Sequence, residues 1–176
     1  MRYRQLAALL VATVFFASPG RASAQDMVRS DGRWLDDRAQ PYKLESLHGA
    51  PTILTMAYGA CRRVCSTSLR VMQSVQALAD ERHLRMNFVV VGIDPHEDTP
   101  ADWAAFRIER KLNRPNWQFL SGDEASTRQL AQQLGVRYWR YGEHTMHDFK
   151  IVLLSPEGRV VRSIDTYDQS PASLLP

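Results

Sequence analysis

The run Thr52-Ile-Leu-Thr-Met-Ala-Tyr-Gly-Ala-Cys-Arg-Arg-Val-Cys-Ser66 constrains the fold of this chain more than any other stretch. An apolar β-type segment, Thr52–Tyr58, passes into a helical one across Cys61 and Cys65, the two cysteines of the sequence. A buried strand that turns directly into a helix is the repeating unit of layered α/β domains. At such a corner the helix N-terminus favours the thiolate over the thiol. Four helical residues rise about 6 Å and share one face. Thiols so placed can clamp a soft metal ion or close into a disulfide.

The rest of the chain continues the alternation. A helix is predicted from about Ser66 to Ala79, with Leu69, Met72, Val75 and Leu78 on its inner face, and a second strand over Met86–Ile93. Asp94 and Pro95 end that strand, and Asp98 with Thr99 are expected to cap a helix from about Pro100 to Leu112. Trp117–Leu120 reads as a short strand. A helix from Asp123 to Leu134 has acids in its first turn and stops at Gly135. Phe149–Leu154 and Arg159–Ile164 flank Ser155-Pro-Glu-Gly158 as a hairpin. This order predicts an α/β, thioredoxin-like sandwich: a central mixed sheet flanked by helices, with a C-terminal β-hairpin. Met56 and Met72 are expected in the core, and His48, His83, His96 and His144 on the surface.

Composition matters here mainly through the N-terminus. A basic start, an apolar run from Leu6 to Ala17 and the small-residue signal Ala22-Ser-Ala24 have the layout of a cleaved secretory leader over residues 1–24. A periplasmic protein starting at Gln25 is expected, with an uncleaved membrane anchor as the competing reading. Export also moves the thiols out of the reducing cytosol. The leader carries Arg2, Arg4 and Arg21 and no acid, so the net charge of +3 falls to zero without it. A neutral mature chain gives no support to nucleic-acid binding. Residues 25–40 read as a loosely ordered lead-in, 41–168 as one domain, and 169–176 as a proline-punctuated tail that frays.

Three pieces, in order, resemble the Sco/SenC family of thioredoxin-fold copper-binding proteins. They are Tyr58-Gly-Ala-Cys-Arg-Arg-Val-Cys65, Val91-Gly-Ile-Asp-Pro-His-Glu-Asp-Thr-Pro100 and His147-Asp-Phe-Lys-Ile-Val-Leu-Leu-Ser-Pro-Glu-Gly158. The resemblance spans roughly residues 40 to 164. It implies a copper site made of Cys61, Cys65 and His147, for Cu(I) with Cu(II) as an alternative. It also implies copper delivery to cytochrome c oxidase, or thiol chemistry that prepares the oxidase's copper-receiving cysteines. The implied partners are a copper-receiving protein such as an oxidase subunit, and a thiol reductant. The family usually has prolines beside the cysteines, whereas Arg62 and Ser66 stand here, giving a more positive corner.

Chemistry weighs the alternatives. Cu(I) favours thiolate and imidazole at low coordination number, which two cysteines and a histidine satisfy. Structural zinc takes four ligands, and His144 or Asp148 would have to complete its set. A purely structural bridge across so small a loop gains little chain entropy. The main functional rival to a metallochaperone is a thiol–disulfide oxidoreductase with Cys61 and Cys65 redox-active, and a redox sensor also fits the residues. Thioredoxins separate their cysteines by two residues rather than three, and disulfide exchange leaves His147 without a necessary task.

Overall fold

In the computed structural model of this chain, residues 32–59 and 64–176 are described, the side chains of 64–66 excepted. The elements run β1 (Trp34–Asp36), β2 (Pro41–Tyr42), β3 (Thr52–Ala57), α1 (Val64–Glu81), β4 (Asn87–Gly92), α2 (Pro100–Glu109), β5 (Trp117–Gly122), α3 (Glu124–Leu134), β6 (Tyr138–Tyr141), β7 (His144–His147), β8 (Ile151–Leu154) and β9 (Val160–Ile164). The leader and the segment 60–63, which holds Cys61, lie outside the described residues. Among the described residues no helix is long and apolar enough to cross a membrane.

Strands buried on both faces need unbroken apolar runs, and these supply the middle of the sheet. Seven strands lie in the order β2-β1-β5-β4-β3-β8-β9. β3, β4 and β5 are parallel neighbours, while β8 and β9 close one side and β1 and β2 the other in antiparallel pairing. Alternate residues of β4 feed opposite cores. Phe88 and Val90 join Met72, Val75, Trp103 and Trp117 on one face. Val89 and Val91 join Leu54, Met56, Leu130 and Leu134 on the other. The mixed sheet, its flanking helices and the β8–β9 hairpin are those expected from the sequence. Helix ends follow their local chemistry: Thr99 and Asp102 form a capping box at α2, Asp123 caps α3, and Gly135 ends α3 at φ 66°.

Two expectations fail at the ends of the domain. The described part of the lead-in, 32–40, is part of the sheet, because β1 pairs with β5 and seats Trp34 at 2% exposure. Asp36 then fixes the following turn by accepting from the backbone N–H groups of Arg38 and Gln40 at 2.9 and 2.8 Å. The tail is equally anchored. Pro171–Leu174 forms a 3-10 turn against α1, and Leu174 and Leu175 enter the core. Two buried leucines hold a segment that its prolines alone would leave loose.

A second, two-stranded sheet, the antiparallel pair β6–β7, stands apart from the main one. It connects α3 to β8 and carries His147 at its end.

Candidate metal centre

The C-terminal ends of parallel strands are where α/β sheets open toward ligands. Here β3 ends at Ala57, followed by Tyr58 and Gly59, and α1 begins at Val64, so Cys65 lies in its first turn. Cys61 lies outside the described residues, and the Cys65 side chain is not described. The described residues nearest the corner include three acids, Asp94, Glu97 and Asp98.

Asp98, 1% exposed, joins two loops. Its Oδ1 accepts the Gly59 N–H at 2.7 Å and its Oδ2 accepts the Asp94 N–H at 2.8 Å. Ser121 Oγ donates to its backbone carbonyl at 2.5 Å. The close fit explains two glycines. A Cβ at Gly92 would stand 2.5 Å from the Asp98 Cβ, and one at Gly59 would stand 3.1 Å from Asp98 Oδ1. Burial, and then the neighbouring Asp94 charge, push the Asp98 carboxyl up to about 7, against the opposing pull of its backbone donors. Tyr58 donates its hydroxyl to Glu97, and burial followed by that carboxylate raises its pKa. The expected capping role of Asp98 is thus incorrect. Thr99 caps α2, while Asp98 fastens the loop two residues before Cys61 to the loop after β4.

That second loop also holds the ribbon. Asp94 Oδ2 accepts from Thr145 Oγ1 at 3.0 Å and from Arg140 at 3.1 Å. Along β7, Thr145 and His147 are buried while His144 and Met146 are exposed, as strand alternation requires. His147 is 9% exposed, and its Nδ1 lies 2.8 Å from the Asp148 carbonyl. A carbonyl can only accept, so in the neutral ring Nδ1 carries the proton and Nε2 the lone pair. Burial pushes the His147 pKa down, which favours the neutral ring. One loop thus ties the thiol corner to the strand that carries the predicted histidine ligand.

The residues that would complete a four-ligand set are placed elsewhere. His144 projects from the opposite face of β7. Both Asp148 oxygens accept from Arg137, at 2.8 and 3.1 Å, and that guanidinium holds the carboxyl below its ordinary range. Among the described residues no three His, Cys, Asp or Glu side chains gather as a metal cage. His48, His83 and His96 are exposed, as expected. The Asp98–Gly59 link had no sequence signal beyond the Asp94-Pro-His-Glu-Asp98 spacing, which equally describes a turn.

The SCO1/SenC family model matches residues 21–175. The SCO1 protein homolog of Bacillus subtilis is 23% identical over 135 residues, covering 73% of this chain and 68% of that protein. The copper-bound ScoI of Bradyrhizobium japonicum superimposes with a TM-score of 0.65 at 25% identity, over 81% of this chain and 92% of that one. BsSco, a member of the Sco family of cytochrome c oxidase assembly proteins with an identified disulfide switch, gives a TM-score of 0.68 at 19% identity, over 79% and 83%.

Proposed function

Because the chain belongs to the SCO1/SenC family, we propose that it is a periplasmic copper-binding metallochaperone whose ligands are Cys61, Cys65 and His147. The observation that carries this reading is the state of His147. Its Nδ1 faces a carbonyl and its ring is kept neutral by burial, so Nε2 is the donor nitrogen. The ribbon bearing it is fastened through Asp94 to the loop that Asp98 bonds to Gly59, just before the thiols. Two thiolates and one imidazole suit Cu(I) at low coordination number. Zinc is disfavoured because Asp148 is committed to Arg137 and His144 lies on the other face of β7. The leader-like residues 1–24 support export, and the copper-bound state of the Bradyrhizobium relative supports the cargo. The receiver in this reading is a cytochrome c oxidase subunit or a related copper enzyme, in keeping with the assembly role of BsSco's family.

Metal binding requires deprotonated ligands, and the chain supplies the means at the corner. The α1 N-terminus and the adjacent Arg62 and Arg63 favour thiolates. A Cys61–Cys65 bridge and bound Cu(I) exclude each other, since the same sulfurs would serve both. The disulfide switch of BsSco favours a second reading, thiol–disulfide exchange by the same pair with an external thiol reductant.

Copper titration of the reduced mature chain tests the first reading. About one tightly held copper per chain is expected, and it should be lost in Cys61→Ser, Cys65→Ser and His147→Ala chains that keep their circular dichroism. A chain that turns over a disulfide substrate but holds no copper would establish the second reading instead.

A further inference from the structure

The outer face of the β6–β7 ribbon has an unusual composition. Register places Trp139 opposite Met146 and Tyr141 opposite His144. Strand alternation puts all four on the face away from Thr145 and His147. All four are exposed: Trp139 at 49%, Tyr141 at 74% and Met146 at 38%, with His144 also in the exposed class. The other described tryptophans and methionines are inside. Trp34, Trp103 and Trp117 are at most 2% exposed, and Met56, Met72 and Met86 at most 4%. Leaving a methionine and two large aromatic rings in water on so small a surface contributes nothing to the core.

Their chemistry is specific. A thioether and an imidazole are soft and borderline donors suited to Cu(I), and the ribbon's one carboxylate, Glu143, lies in its turn rather than on either strand. His144 and Met146 are two residues apart on one strand, so their Cα atoms are about 6.7 Å apart. Methionine's flexible stem lets the sulfur close that gap. Cross-strand pairs stand about 5 Å apart at Cβ, so the Trp139 ring lies beside Met146 and can face a cation.

We propose that His144 and Met146 form a second Cu(I) site on the outer face of this ribbon, with Trp139 packed against the ion, back to back with His147. It binds the same cargo as the site of Cys61, Cys65 and His147, but shares no ligand with it. Two donors hold the ion more weakly than three. The ribbon thereby presents copper ligands on both faces, one toward the thiol corner and one toward solvent.

The two sites can be separated with a C61S/C65S/H147A chain, titrated anaerobically with Cu(I) against a chromophoric Cu(I) chelator while tryptophan emission is followed. The C61S/C65S chain serves if the triple variant fails to fold, because its remaining His147 faces away from the second site. About one Cu(I) per chain is expected, with emission quenched because Trp139 is the exposed tryptophan. Adding M146L or H144Q should abolish both binding and quenching, whereas W139F should keep weakened binding and lose the quench. No Cu(I) uptake by the C61S/C65S background, or uptake that survives both M146L and H144Q, overturns the inference. Those results leave the proposed function standing. That reading falls separately, if the parent chain's tightly held copper survives loss of the thiols.

Discussion

Asp98 shows how one buried carboxylate can position a site it does not enter. Its two oxygens satisfy two backbone N–H groups from different loops, so a single side chain sets the spacing between the thiol corner and the loop after β4. Asp98→Ala leaves both donors unpaired in a buried place and should cost about 1–3 kcal/mol for each, read from denaturant midpoints. Its pH response is opposite to that of a salt-bridged acid. Burial raises its pKa from 3.8 to about 7, so the native chain holds this proton more tightly than the unfolded chain. The resulting stability is whole below about pH 4 and is lost as the pH rises through about 7. Midpoints measured across that window should fall for the parent, and Asp98→Asn should remove Asp98's share of the slope. An unchanged slope would place the effect in another group. At this scale the sequence was poor about role. Cys61 and Cys65 stood out by spacing and His147 by the family resemblance, whereas Asp98 looked like a cap because its partner, the Gly59 amide, carries no residue-type signature.

The elements missed in the sequence are the short ones whose burial comes from distant partners. β3, β4 and β5 were legible as apolar runs and α1 and α3 as periodic segments with capped ends. β1 has three residues, two of them buried, and its surroundings are polar. Trp34 packs over Gly122, where an added Cβ would stand 2.4 Å from the indole ring. Gly122→Ala should therefore overpack the site and cost about 1–3 kcal/mol. Trp34→Ala should cost about 3–5 kcal/mol by opening the cavity beneath β1. Thermal unfolding of the two variants checks both. A neutral Gly122→Ala would mean that β1 can shift without loss. β7, His-Thr-Met-His, alternates in burial but not in hydrophobicity, so period-two reading passed over it. With β7 unread, the opposite orientations of His144 and His147 also went unseen.

Across the whole molecule, the polar segments before and after the core close the domain. Removing residues 174–176 takes away two buried leucines and should lower stability by about 1.5–3 kcal/mol for each, measured by denaturation. At the other end, intact mass from a secreting host should show a chain starting at Gln25, and a membrane-bound full-length chain would reveal an anchor instead. Between these ends, the β6–β7 ribbon stands outside the main sheet and meets its core through the inward-facing Tyr138. Folding therefore restricts only half of its residues. A saturation library scored for soluble expression should show tolerance alternating along each strand, low at Tyr138 and Thr145 and high at Tyr141, His144 and Met146. Lineages can then vary the outward half freely, so the ribbon is where relatives can acquire distinct metal or partner preferences without any compensating change in the core.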